Sequence, residues 1–214
     1  MDTASLASPR LVLASASPRR RDILASLGVP FEVDLPLIDE LAGGLPPPAL
    51  ALENARRKAR DVQCRRRQKG PQDPVRNPIL AVDTIVVRAG IVLSKPISDQ
   101  DARKMLNSLS GREHEVVSGL CLISGEGREV GRTCSTTVEF APLTAAEIDW
   151  YLASGEHADK AGAYGIQGRA ALFIRRVEGC YFNVVGLPVR TFYEALSELG
   201  APLGRALPRS GGND

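Results

Sequence analysis

This chain is poor in the residues that several functional classes require. Of its 214 residues only four are cysteine and two are histidine. Cys64, Cys121, Cys134 and Cys180 show no C-x-x-C spacing, and His114 and His157 are too few to complete a zinc set with them. Reduced thiols in a cytoplasmic protein are the expectation. Aromatics make up 5%, too little for a platform that stacks single-stranded bases. Neither sign of charge dominates: 27 Lys and Arg against 25 Asp and Glu leave +2, which argues against a nucleic-acid partner. Long apolar runs are missing too. Ile79–Val87 is short and interrupted by Asp83, so no membrane partner is expected. Met1–Arg10 is polar and lacks the apolar core of a secretory signal. There is no G-x-S-x-G elbow, and two histidines make a Ser–His or Cys–His pair a poor prospect.

What is present is ordinary for a globular chain: 43% hydrophobic and 24% charged residues. The pattern alternates strands and helices. Leu11–Ala14 and Phe31–Val33 read as short strands around a helix that Ser17-Pro18 opens and Gly28 ends. Gly43–Pro48 reads as a loop, and Ala49 to about Gln68 as a long basic helix whose Arg65–Lys69 end is solvated. Gly70–Pro78 reads as an exposed loop. Strands are expected at Ile79–Val87, Gly90–Leu93, Glu113–Ile123, Arg128–Phe140 and Ala170–Val177. Helices are expected after Ser98-Asp99, from Thr144 to Ala153, and at Pro188–Leu199. Adjacent strands within Glu113–Phe140 favour an α/β fold with a mixed, largely extended sheet flanked by helices. One domain over 11–199 is expected, with 1–10 and 201–214 as flexible tails.

Three segments carry chemistry. In Leu13-Ala14-Ser15-Ala16-Ser17-Pro18-Arg19-Arg20-Arg21, three arginines crowd a helix N-terminus, where acids are normally favoured. A bound phosphate relieves that repulsion, and so does plain solvation. Asp83 interrupts an apolar strand. A buried carboxylate needs a partner: a metal ligand, a general base, or a strand-kink Asp tied to a neighbouring loop all fit. Glu40, Lys58 and Lys95 are supporting charges, each as compatible with an ordinary surface role as with phosphate or metal. Asp159–Gly168 places three glycines at spacing three, which lets backbone approach a ligand closely. Its Gln167 can read a base edge or simply tie down the loop.

Six motifs then run in order: Leu13-Ala14-Ser15-x-Ser17-Pro18-Arg19-Arg20, Ala81-Val82-Asp83-Thr84, Lys95-Pro96, Leu109-Ser110-Gly111, Asp159–Gly168 and Asn183-Val184-Val185-Gly186-Leu187-Pro188. Together they resemble the Maf family of nucleoside triphosphate pyrophosphatases. The resemblance implies two lobes around a substrate cleft, an ITPase-like architecture, often a homodimer, and hydrolysis of a nucleoside triphosphate with a divalent cation, Mg2+ or Mn2+. It implies Asp83 as proton acceptor and, with Glu40, as metal holder. Ser15, Arg19, Lys58 and Lys95 match phosphate-contacting positions, and Arg20, Thr84 and Gln167 match positions tied to substrate choice. Gln167 and Ser-Pro-Arg-Arg resemble the branch acting on dTTP and UTP rather than on 7-methyl-GTP. Ser94 and Cys180 depart from the family's usual Gly and Ser. The rival readings are a house-cleaning hydrolase for modified nucleotides and a nucleotide-binding regulator of septum formation.

Overall fold

The computed structural model describes residues 11–68 and 77–200. The chain begins with strand β1 (Leu11–Leu13), helix α1 (Pro18–Ser26), strand β2 (Phe31–Val33) and helix α2 (Pro47–Gln68). The hairpin β3 (Ile79–Arg88) and β4 (Ile91–Leu93) follows, then α3 (Asp99–Leu109), β5 (Glu113–Ile123) and β6 (Glu129–Phe140). The chain continues through α4 (Ala145–Leu152), β7 (Ile174–Glu178), α5 (Tyr181–Val185) and α6 (Val189–Glu198). Side-chain caps fix two of the helix starts. Ser98 Oγ accepts from Asp101 N in α3, and Thr144 and Glu147 form a reciprocal capping box at α4.

The strands make one mixed sheet in the order β2-β1-β3-β5-β6-β7, with β4 on the edge of β3. β1 runs parallel to β2 and β3, and the remaining pairs are antiparallel. Strand periodicity divides β3 cleanly. Leu80 and Val82 join a core with Ile23 and Leu24 of α1 and Phe192 and Leu196 of α6. Ile79 and Ala81 point the other way, against Ala55, Ala59 and Val62 of α2. Farther along the first face, Val86, Val116 and Phe140 build a second core with Leu106 of α3 and Tyr151 of α4. These two cores lie side by side on one sheet, and Ile174 and Val184 pack against both.

A break in strand pairing places the cleft. β1 meets β3 only as far as Leu80, and β4 joins it from Val86. Among the described residues no strand lies beside Ala81–Ile85 on that edge, although β5 pairs with them on the other. The opening sits beyond the C-terminal end of parallel β1, where open α/β sheets receive ligands.

Four expectations need correction. Ser17 makes no side-chain cap bond, so α1 starts on Pro18 alone. α2 begins at Pro47, inside the expected loop, because proline suits a first helical turn. Ala170–Phe173 is a 3₁₀ turn and only Ile174–Glu178 is strand. The helix end at Arg65–Lys69 is not simply solvated: Arg65 and Arg66 chelate Asp34, and Arg66 also reaches Glu32. The expected loop at Gly70–Pro78 falls largely in 69–76, and the expected tails are 1–10 and 201–214, all outside the described residues.

Candidate active site

Asp83 pairs across the sheet with Gly119. A Cβ on Gly119 would lie 2.2 Å from backbone atoms of Ala51 and Leu52. Only glycine admits α2 at that distance. The close approach lowers the inward polar residues of α2 onto Asp83. Lys58 Nζ donates to Asp83 Oδ1 at 2.7 Å, and Asn54 Nδ2 donates to Oδ2 at 3.1 Å. All three residues are buried. Lys58 therefore is not the surface charge its basic surroundings suggest, and Asp83 is held by a helix rather than by a loop.

The same ammonium reaches Glu40 Oε1 at 2.5 Å. Glu40 lies on the loop after β2, and α2 pins that loop along its length. Arg65 and Arg66 hold Asp34, whose carboxyl burial pushes up but the two guanidiniums bring below its ordinary value. Leu37 N donates to Asp61 Oδ2 at 2.9 Å, and Leu41 N to Asn54 Oδ1 at 2.8 Å.

The opposite face of β3 carries Thr84. Here Arg20 folds back from α1 and commits its fork to neutral acceptors. Nε donates to the Gly186 carbonyl at 2.8 Å, Nη1 to Ser15 Oγ at 2.8 Å, and Nη2 to Thr84 Oγ1 at 3.2 Å. Thr84 Oγ1 in turn shares a 2.8 Å bond with Ser118 Oγ. Burial pulls the Arg20 guanidinium down to about 10, although Asp83 and Glu40 pull the other way. It stays cationic at neutral pH. The three arginines thus do not act as one cluster: Arg20 is half-buried with its fork turned inward, Arg21 is exposed, and Arg19 sits 3.7 Å from Asp159.

The glycine-rich segment forms the remaining wall. A Cβ on Gly162, at φ +68°, would press on Val86 at 2.9 Å, so the segment lies directly on β3. Lys160 Nζ donates to Asp159 Oδ1 at 2.6 Å. Burial pushes the Asp159 carboxyl up, and Lys160 with Arg19 brings it below its ordinary value. Gln167 and Lys95 are exposed.

These groups line one cavity of about 420 Å³. Ser15, Arg19 and Arg20 enter from the β1–α1 turn, and Glu40 and Lys58 from the α2 side. Asp83 and Thr84 form its floor, with Lys95 and Gln167 toward solvent. Tyr164, Ile166 and Val185 add an apolar wall. All nine residues singled out from sequence meet there. Asn54, Ser118 and Gly119 were not singled out. A glycine inside an otherwise apolar strand was the available signal for Gly119. Nothing in the local pattern marks Asn54.

Glu40 Oε1 and Asp83 Oδ1 converge on a single point, at present the Lys58 ammonium. Among the described residues no trio of His, Cys, Asp and Glu forms a metal cage. Two carboxylate oxygens meeting at one point suit a hard divalent cation and do not suit a structural zinc. No described helix is long and apolar enough to cross a membrane.

The family model described as Maf-like protein matches residues 10–199. A protein of Symbiobacterium thermophilum named dTTP/UTP pyrophosphatase is 45% identical over 198 residues, 91% of this chain and 96% of that one. One of the same name from Anaeromyxobacter sp. strain Fw109-5 is 48% identical over 199 residues, 91% of each chain. Among solved structures, a nucleoside-triphosphatase/dITP/XTP pyrophosphatase from Mycobacterium abscessus superposes at a TM-score of 0.42 and 20% identity, over 93% of this chain and 98% of that one. That overlay is too loose to carry weight.

Proposed function

The chain belongs to the Maf-like protein family, and from that premise we propose that it hydrolyses nucleoside triphosphates, dTTP and UTP foremost, to the monophosphate and pyrophosphate. One observation carries the reading. Consecutive residues of one strand anchor a carboxylate pair on one side of a cavity and an arginine hub on the other. A metal-bound nucleotide needs both, the carboxylates at its phosphate end and the arginine hub beside its base.

In this reading Ser15, Arg19, Lys58 and Lys95 bind the phosphates, with Arg19 and the lysines facing the departing pyrophosphate. Lys58 leaves the carboxylate pair for a phosphate oxygen when substrate enters. Glu40 and Asp83 would hold a divalent cation, which would supply charge neutralisation at the phosphate oxygens. Asp83 orients a water at the α-phosphorus and accepts its proton. Asn54 keeps hold of Oδ2, and the lone pair that Lys58 gives up on Oδ1 leaves an acceptor site for that water. The water oxygen bonds to the α-phosphorus as the bond to the bridging oxygen breaks. Arg20, Thr84 and Gln167 border the apolar wall where a base fits, and Gln167 has an amide for a pyrimidine edge. Positioning and fixed charge supply most of the rate. A cytoplasmic setting fits the four free thiols.

The test is product analysis by chromatography, with each common nucleoside triphosphate, 7-methyl-GTP and a modified pyrimidine triphosphate, in Mg2+ or Mn2+. Monophosphate and pyrophosphate mainly from dTTP and UTP are expected. Turnover mainly of 7-methyl-GTP or the modified nucleotide keeps the chemistry and overturns the substrate choice. Binding without turnover of any of them overturns the enzyme reading.

A further inference from the structure

We propose that Asn54 is a positioning residue for this reaction, setting the spacing between Glu40 and Asp83. The proposal rests on the hydrolytic reading above. Asn54 is 2% exposed and its amide makes three bonds: Oδ1 accepts from Leu41 N at 2.8 Å, and Nδ2 donates to Leu41 O at 3.1 Å and to Asp83 Oδ2 at 3.1 Å. The amide has only one sensible orientation. Flipped, it would set its NH2 against the Leu41 N–H and its oxygen against the Asp83 carboxylate.

One side chain thus grips both carboxylate carriers. It turns the Asp83 carboxyl by holding Oδ2, which directs Oδ1 to the point shared with Glu40. It fixes Glu40 through the backbone of the next residue. A purely structural tie between α2 and the loop is already supplied elsewhere. Asp61 holds Leu37, and Arg65 and Arg66 hold Asp34. Asn54 is the tie to the backbone beside Glu40, where Lys58 reaches only the carboxylate. Partners that orient metal-holding carboxylates typically change affinity or rate by about 10- to 100-fold when removed.

The experiment compares wild type, Asn54→Ala, Glu40→Gln and the double variant. It reads kcat and KM for dTTP with saturating Mg2+, and thermal unfolding of each protein. A second readout is Mn2+ affinity, followed by electron paramagnetic resonance in the presence of a non-hydrolysable α,β-methylene analogue of dTTP. In Asn54→Ala, kcat is expected to fall about 10- to 100-fold, with KM within about threefold and Mn2+ affinity weakened about tenfold or more. The double variant should be little slower than the worse single, because the spacing is lost only once. A folded Asn54→Ala with kcat or Mn2+ affinity near wild type overturns the proposal, as do losses that multiply in the double variant. If Asn54→Ala does not fold, Asn54→Ser, too short to span from Leu41 to Asp83, takes its place with the same expected split. A wild type that hydrolyses no triphosphate overturns the functional reading and this inference with it, whereas active wild type with active variants overturns this inference alone.

Discussion

Asp83 and Thr84 are neighbours on β3, face opposite ways, and anchor hubs of opposite character. On the α2 face, two carboxylates share one ammonium, so the Glu40–Lys58–Asp83 group carries a formal surplus of negative charge. On the other face, Arg20 is surrounded by a serine, a threonine and a backbone carbonyl, so among the described residues its positive charge has no direct counter-ion there. The first hub suits a cation, and the second borders the wall where a base fits. The difference shows how a two-residue period, left without a neighbouring strand at one stretch, can give a site one end for a cation and another for a base. The gap between β1 and β4 exposes both faces at once.

Neutralising the acidic hub breaks the comparison most severely. Asp83→Asn keeps the shape but removes the proton acceptor, and kcat should fall about a thousandfold. Lys58 still has Glu40 as a partner, so the fold survives, with an unchanged far-ultraviolet circular dichroism spectrum. A folded variant with wild-type turnover would refute the role of Asp83.

The basic hub should respond less, and in a different quantity. Arg20→Lys keeps the charge but loses the fork, which cannot be matched by a point charge. The Ser15, Thr84 and Gly186 acceptors would not all be met at once. Stability should drop by about 1–3 kcal/mol. KM for dTTP should rise roughly tenfold, equivalent to about 1.4 kcal/mol, with a smaller change in kcat. Equal changes in kcat for Arg20→Lys and Asp83→Asn would erase the distinction between the hubs.

The two hubs were unequally legible in sequence. Asp83 announces itself, because a carboxylate in Ile79–Val87 needs an explanation wherever it points. Arg20 is visible only as one of three arginines, and its separation from Arg19 and Arg21 depends on Gly186, 166 residues away. Lys58 and Asn54 sit in a basic helix whose buried face also carries Leu50, Ala51, Ala55, Ala59 and Val62. What buries them is the missing side chain of Gly119 on another strand, a tertiary fact with no local signature. The same limit applies to the fold. Long strands such as β5 and β6 were legible from their length and the glycine turn between them. Ala170–Phe173 is apolar enough for a strand, yet enters the sheet only at Ile174 after the 3₁₀ turn that follows Gly168. Short apolar runs do not specify their own geometry.

The smallest expected effect lies behind the Arg20 face and separates the stability of that wall from the charges of the site. His114, on β5, is buried with Nε2 2.7 Å from the Tyr164 hydroxyl, and Phe140 packs edge-on against its ring. Desolvation, helped by Arg88, lowers its pKa from 6.5 to about 4. The sign follows from which state takes up the proton. Between pH 6.5 and about 4 the unfolded chain protonates this ring and the folded chain does not, so stability is full above 6.5 and is lost as pH falls through that window. The slope for one proton is about 1.4 kcal/mol per pH unit. Urea unfolding of wild type and His114→Gln at pH 7.5 and 4.5 should therefore differ in their acid loss by about 2 kcal/mol, with the variant losing less. Parallel losses in the two proteins would mean that the ring is protonated in the folded state, and that the acid sensitivity of this wall has another source.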